Sequence, residues 1–198
     1  MIWPRFYPIL DSADWIARVL PLGVRLVQLR IKDRPPAELR GQVTRARDLC
    51  RRHGAILVVN DHWQLAIEEG CGAVHLGQED LDGADLAAIR RAGLCLGIST
   101  HDGAELDRAL ACDPDYVALG PVWPTILKAM PWAPQGTDRL AEWKAQIGDI
   151  PLCAIGGLTP ERARLAMAAG ADMVAAVTDI TLAADPDRRI REWLEVAP

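Results

Sequence analysis

The residues able to do chemistry fall in a few short stretches. From Val27 to Asp33 apolar and polar residues alternate, so period-two geometry puts Gln28, Arg30 and Lys32 on one face and Val27, Leu29 and Ile31 on the other. Two cations drawn out of water must meet opposite charge, so inside a helix-covered barrel that polar face would point inward to an anion; a solvated edge strand is the plainer alternative. Asn60-Asp61 and Gly77-Gln78-Glu79-Asp80 add carboxylates, with no Cys or His pair at ligand spacing beside them. Such a pair suits a hard, oxygen-seeking cation, and Mg²⁺ shared with a substrate's phosphates fits best. Asp61 and Asp80 read equally well as helix caps, and spacing alone does not choose between the two roles.

Further along, Gly156-Gly157 and Thr178 offer backbone amides and a hydroxyl of the kind that hold a monophosphate, although the glycines also serve as turn residues. Ser99-Thr100-His101 brings two hydroxyls and an imidazole. That histidine is suited to general acid or base work, or more plainly to orienting a neighbour or capping the next helix. His53 and His62 have the setting of surface residues, and His75 that of a core residue.

One connection stands out by length, Gly120 to Gly136, with four prolines, one hydroxyl in Thr125 and one cation in Lys128. Trp123, Met130 and Trp132 argue against a solvated linker, and loops this long in compact domains tend to be lids or binding loops. The expectation is a loop that closes Lys128 over something anionic. A surface excursion with incidental Trp packing is the plainer alternative.

The elements that must position these residues are short and regular. Strand candidates at Tyr7–Leu10, Val27–Ile31, Leu57–Asn60, Ala73–Gly77, Leu96–Ser99, Tyr116–Gly120, Leu152–Gly156 and Met173–Thr178 are near-continuously apolar, as strands buried on both faces should be. Helical stretches separate them. Pro36–Arg52 carries Leu39, Val43, Ala46 and Leu49 at helical spacing. Thr159-Pro160-Glu161 has the form of a helix start that Gly170 would end, and Asp82 or Asp85 opens another helix that closes near Gly93.

A strand followed by a helix, repeated eight times, predicts an α/β fold, a (β/α)₈ TIM barrel formed as a single domain over residues 1–198. An open doubly wound sheet would need fewer strands. In the barrel the polar residues after each strand converge on one mouth, and turn chemistry alone does not explain so many ionisable and amide groups there.

Composition narrows the partners. A chain of 198 residues with a net charge of −5 has no basic footprint, which excludes nucleic acid as the expected partner. No apolar run is long enough for a membrane span, and the strand-like beginning shows nothing cleavable. The five cysteines are scattered and unpaired in spacing, which points to reduced thiols in a cytoplasmic protein, most of them small core residues.

From Tyr7 to about Ile180 the motifs resemble those of the thiamine phosphate synthase family. The resemblance is carried by Gln-Leu-Arg-Ile-Lys-Asp at 28–33, Asn60-Asp61, Val-His-Leu-Gly-Gln-Glu-Asp at 74–80 and Gly-Ile-Ser-Thr-His at 97–101. Gly-Pro-Val-Trp-Pro-Thr at 120–125, Lys128 and Ala-Ile-Gly-Gly at 154–157 complete it. It implies a barrel enzyme that joins hydroxymethylpyrimidine diphosphate to hydroxyethylthiazole phosphate, giving thiamine phosphate and diphosphate. Gln28, Arg30, Lys32, Asn60, Ser99 and Lys128 would contact the pyrimidine diphosphate, Leu29 and Ile31 would also bind substrate, and Arg30, Lys32, Ser99 and Lys128 would serve catalysis. Asp61 and Asp80 would carry Mg²⁺. Thr125, Gly157, Val177 and Thr178 would hold the thiazole phosphate, and Ile126, Leu127 and Gly156 would also contact substrate.

Three positions depart from the family pattern. Leu127 replaces a second threonine before the loop lysine, Thr178 replaces a serine, and Asp179 stands where a small apolar residue is usual. A carboxylate facing a phosphate site would repel the ligand, so Asp179 is expected to point away and cap a short helix. A related thiazole tautomerase, kept open by His101, and a weakly catalytic paralogue that binds thiamine phosphates, suggested by Leu127 and Asp179, are the competing readings.

Overall fold

Strands buried on both faces need helices outside and packed side chains inside, and the chain closes on itself to provide both. A computed structural model of the chain describes residues 2–125 and 132–198. The described strands are β1 (Phe6–Leu10), β2 (Leu26–Leu29), β3 (Ile56–Asn60), β4 (Ala73–Leu76), β5 (Cys95–Thr100), β6 (Tyr116–Leu119), β7 (Leu152–Ala154) and β8 (Met173–Ala176). They pair in parallel in chain order, and β8 returns to β1 through Phe6↔Val174. The expected barrel is present and the open sheet is not.

The helices are α1 (Ala13–Val19), α2 (Pro36–His53), α3 (Trp63–Glu68), α4 (Leu86–Arg91), α5 (Gly103–Ala111), α6 (Gly136–Ile147), α7 (Pro160–Ala168), α8 (Thr178–Thr181) and α9 (Pro186–Val196). Their starts follow local chemistry. Ser12, Asp85, Asp102, Thr159 and Asp185 each accept a backbone N–H of the first turn, and Pro36, Pro160 and Pro186 occupy first helical positions. Asp85, and not Asp82, opens α4. None of the described helices is long and apolar enough to cross a membrane.

Alternation in each strand sorts the side chains into two cores. Val27, Leu29 and Ile31 lie in the wall between barrel and helices, while Leu26, Tyr7, Val58, Tyr116 and Met173 fill the inside. At about 1.5–3 kcal/mol per buried Val, Leu or Ile, this double layer is what holds the ring closed. Trp3, ahead of β1, packs edge-on against Tyr116 with ring centroids 4.9 Å apart.

Five strands end earlier than sequence pattern suggests, at Leu29, Leu76, Leu119, Ala154 and Ala176 instead of Ile31, Gly77, Gly120, Gly156 and Thr178. At the mouth the chain leaves the ladder for turns: Gly77 N–H donates to the Asp80 carboxylate at 2.9 Å, although Arg30 N–H still reaches the Leu10 carbonyl at 2.8 Å. Polar strand-end residues therefore stand on a rim above the ladder, reachable from solvent.

Candidate active site

The β2 stretch behaves as its alternation predicts up to the rim. Gln28 is buried inside the barrel and donates through Nε2 to the Tyr7 hydroxyl at 2.8 Å. Arg30 is half-buried. Lys32 is not buried as expected: its side chain is 55% exposed, because β2 has already left the ladder. Leu29 and Ile31 are buried in the outer wall, so they support the site from behind and cannot line it with their side chains.

Asn60 is buried and pairs in register with His75 across β3 and β4. Asp61 follows directly, in a left-handed conformation (φ 63°) that Asp tolerates better than most residues. Burial pushes its carboxyl above the usual range, and the Asp80 carboxylate beside it pushes the same way, partly offset by Lys32 and Arg30. Lys32 Nζ stands 3.9 Å from Asp61 Oδ2. Neither aspartate is a conventional helix cap. His62 holds the N-cap position of α3 without a side-chain bond, and Asp80 accepts the upstream Gly77 N–H.

Two carboxylates held side by side in a partly buried place are only partly offset by Lys32 and Arg30, and their oxygens are the donors a hard divalent cation takes. Among the described residues no third His, Cys, Asp or Glu joins them. The pair thus fits Mg²⁺ in the open form expected of an ion completed by water and substrate phosphates, not a closed protein cage.

Ser99, half-buried at the end of β5, lies 2.7 Å from His75 Nε2, and the Gln78 side-chain amide donates to its carbonyl at 2.8 Å. His75 Nδ1 lies 2.9 Å from the Tyr116 hydroxyl, which is itself 2.9 Å from that of Tyr7. Desolvation lowers the His75 pKa to about 4, so its imidazole is neutral at physiological pH. Sequence reasoning placed His75 in the core, and that is where it lies. It missed Tyr7 and Tyr116 as site-related residues; their inward positions in β1 and β6, strands that neighbour those of Gln28 and Ser99, were the available signal.

His101 neither caps α5, whose cap is Asp102, nor stands free. Its Nδ1 lies 2.6 Å from Glu105, and its ring stacks on Trp132 with centroids 4.0 Å apart. His53 and His62 are half-buried rather than fully on the surface; His62 Nε2 lies 3.3 Å from the Ile31 carbonyl.

The long connection is fastened at both described ends. Val122 and Trp123 N–H donate to the Ile155 and Gly156 carbonyls at 2.9 and 3.0 Å, and Gln135 and Gly136 N–H donate to Pro121 and Val122 at 2.8 and 3.0 Å. Gly156 and Gly157 have positive φ, and a Cβ on Gly157 would stand 2.3 Å from the Pro124 carbonyl oxygen. Close approach of the two loops therefore demands glycine there, whatever ligand the amides also meet. Arg162 seals the contact, with Nη1 2.5 Å from the Gly157 carbonyl and its guanidinium over the Trp123 ring. Thr125 is half-buried. Ile126, Leu127 and Lys128, with Met130, lie outside the described residues, and so does the closing loop they were expected to form.

Val177 and Thr178 open α8 at the end of β8. Asp179 points away from the mouth, as expected, but it caps nothing. Arg189 of α9 grips it with two bonds of 2.8 and 2.7 Å, and Trp193 Nε1 donates a third at 2.7 Å.

Residues 6–180 match the family model described as thiamine monophosphate synthase. The chain is 63% identical over 189 residues to the thiamine-phosphate synthase of Rhizobium etli, covering 96% of this chain and 93% of that protein. With the thiamine-phosphate synthase of Escherichia coli K12 it shares 50% identity over 191 residues, 96% of this chain and 90% of that one. A solved thiamine phosphate pyrophosphorylase from Pyrococcus furiosus superposes with a TM-score of 0.84 at 26% identity, over 98% of this chain and 95% of that one.

Proposed function

The chain belongs to the thiamine monophosphate synthase family, and from that premise we propose that it condenses hydroxymethylpyrimidine diphosphate with hydroxyethylthiazole phosphate, a transferase reaction releasing diphosphate. The observation that carries the reading is the paired Asp61 and Asp80 carboxylates with Arg30 and Lys32 close enough to oppose their charge. A diphosphate with a divalent ion engages both halves of that arrangement, the carboxylates taking the metal and the cations the phosphates; a neutral substrate would engage neither.

The reaction breaks the bond between the pyrimidine methylene carbon and the diphosphate oxygen, and forms one from that carbon to the thiazole nitrogen. The electron-rich aminopyrimidine stabilises positive charge on the methylene, so diphosphate leaves before the nitrogen attacks. Arg30 and Lys32, joined by Lys128, stabilise the negative charge that develops on the leaving group, and the Ser99 hydroxyl donates to it. Gln28 and Asn60, buried at the floor of the mouth, orient the pyrimidine ring. Asp61 and Asp80 would hold Mg²⁺, whose chemistry is neutralisation of the diphosphate oxygens. On the opposite side the Gly156-Gly157 turn, Val177, Thr178 and Thr125 would receive the thiazole phosphate. Leu29 and Ile31 take part through their backbone. Free thiols at Cys50, Cys71, Cys95, Cys112 and Cys153 support a reducing, cytoplasmic setting.

A coupling assay with both substrates and Mg²⁺ tests the proposal. Formation of thiamine phosphate supports it. Proton exchange on the thiazole phosphate alone would identify a tautomerase, and binding of both substrates without turnover would identify a non-catalytic binder.

A further inference from the structure

Four hydrogen bonds cross the barrel interior in a single file: Gln28 Nε2 to Tyr7 at 2.8 Å, Tyr7 to Tyr116 at 2.9 Å, Tyr116 to His75 Nδ1 at 2.9 Å, and His75 Nε2 to Ser99 at 2.7 Å. Its ends are two residues assigned above to opposite parts of the pyrimidine diphosphate, Gln28 to the ring and Ser99 to the leaving group. Its middle is fully enclosed; Tyr7 and Tyr116 are 1% and 0% exposed. Among the described residues neither hydroxyl has another hydrogen-bond partner.

Each hydroxyl has one proton and a neutral imidazole has one N–H. The file therefore has a single sense once one end is set. With Gln28 donating, Tyr7 gives its proton to Tyr116, Tyr116 gives its own to His75 Nδ1, and His75 donates from Nε2 to Ser99. The Ser99 proton is then left for the mouth, and the Gln28 carbonyl oxygen is left for an incoming donor. Turning the Gln28 amide over reverses every bond. Ser99 must then spend its proton on His75 and presents only lone pairs to the mouth, and Gln28 presents N–H groups.

These alternatives suit opposite ligands. An oxygen of a diphosphate needs a donor at Ser99, and the amino group of an aminopyrimidine needs an acceptor at Gln28. Both requirements are met by the same sense of the file. We propose that the buried file Gln28–Tyr7–Tyr116–His75–Ser99 is a polarised relay that couples recognition of the aminopyrimidine to donation toward the diphosphate. Tyr7, Tyr116 and His75 are its positioning residues, and the inference rests on the synthase reading above. The middle of the file is held in place mechanically as well. A Cβ on Gly97 would stand 2.0–2.4 Å from the Tyr116 ring and hydroxyl, so only glycine lets that hydroxyl reach both Tyr7 and His75.

The test removes one link and neither end. Tyr116→Phe keeps the ring and its contacts with Trp3; Tyr7→Phe cuts a second link and serves if the first variant folds poorly. The expected result is a fall of roughly three- to tenfold in kcat/KM for the pyrimidine diphosphate, the scale of one net neutral hydrogen bond. KM for the thiazole phosphate stays within twofold. Gln28→Ala and Ser99→Ala should be non-multiplicative in the wild-type chain by threefold or more and multiplicative in the Tyr116→Phe background. Unchanged kinetics in both Phe variants, equal losses toward both substrates, or persistent coupling after the link is cut would overturn the relay. The ¹⁵N signals of the His75 ring give an arm independent of turnover. With the full chain saturated in inorganic diphosphate, protonation at Nε2 supports the relay and protonation at Nδ1 overturns it. If the wild-type chain makes no thiamine phosphate, the synthase reading fails, and the ring signals still judge the sense of the file.

Discussion

Two aspartates stand just after strands on opposite sides of the same mouth, and the molecule treats them in opposite ways. Asp61, after β3, is crowded by burial and by Asp80, and its one ion-pair partner among the described residues is the half-solvated Lys32 at 3.9 Å. Asp179, after β8, has both oxygens taken by the Arg189 fork and one of them also by the Trp193 indole. Residue type and place in the fold are alike; the balance of partners is not. On the function proposed above, the β2–β5 side keeps charged groups for a ligand to engage, whereas the β6–β8 side, with Asp179 already held by Arg189 and Trp193, offers it mostly backbone.

The contrast breaks if neutralising the crowded pair costs stability and not turnover. Asp61→Asn or Asp80→Asn should lower turnover by about 10²–10³, the scale of losing a principal electrostatic stabiliser of developing charge, and leave the melting temperature unchanged or higher. Steady-state rates and thermal melts of the two variants check this. Chelation should produce the same loss in the wild-type chain, and Mg²⁺ should restore it. With inorganic diphosphate present, Mg²⁺ at about 100 times its Kd should stabilise by about 2.7 kcal/mol, roughly 5–10 °C for a chain of this size. That shift should be absent in Asp61→Asn.

Lys128 sharpens the comparison from the chemical side. Lys128→Ala should lower kcat by more than it raises KM for the pyrimidine diphosphate, because charge on the leaving group grows only as the bond breaks. An effect on KM alone would make it a binding residue. The backbone side is probed by Gly157→Ala, whose new methyl meets the Pro124 carbonyl oxygen at 2.3 Å in a φ of +64°. It should cost about 1–3 kcal/mol of stability, and raise KM for the thiazole phosphate while sparing that for the pyrimidine diphosphate.

The strands, the inward face of Gln28 and Arg30, and the caps at Asp85 and Thr159 were legible because each is decided within a few residues, by alternation or by a side chain meeting its own helix start. What needed the folded chain is whom a polar group meets across the barrel. Tyr116-Val117-Ala118-Leu119 reads as one more buried strand, and its hydroxyl acquires meaning only when β1 and β4 bring Tyr7 and His75 within 2.9 Å. The strand ends were overextended for a related reason: apolar pattern continues past the point where the ladder gives way to turns, as at Ile31 and Gly77. The expected cap at Asp179 is absent because its partners come from α9, where Phe6 stacks on Trp193 at 5.1 Å.

Those partners make Asp179 the test of smallest effect on chemistry. If its carboxylate belongs to the scaffold, Asp179→Ala should destabilise by about 1–3 kcal/mol, since it strips the main partner from a partly buried guanidinium and leaves an indole N–H unbonded. Glu192, 2.8 Å from Arg189, keeps the cost from being larger. A companion Asp179→Asn should recover part of the loss, because an amide oxygen still accepts from Trp193. Thiazole phosphate affinity should move by less than tenfold in both. Tightening beyond tenfold in Asp179→Ala would mean that the carboxylate's charge reaches the phosphate despite its partners, and the division between the two sides of the mouth would then be one of degree.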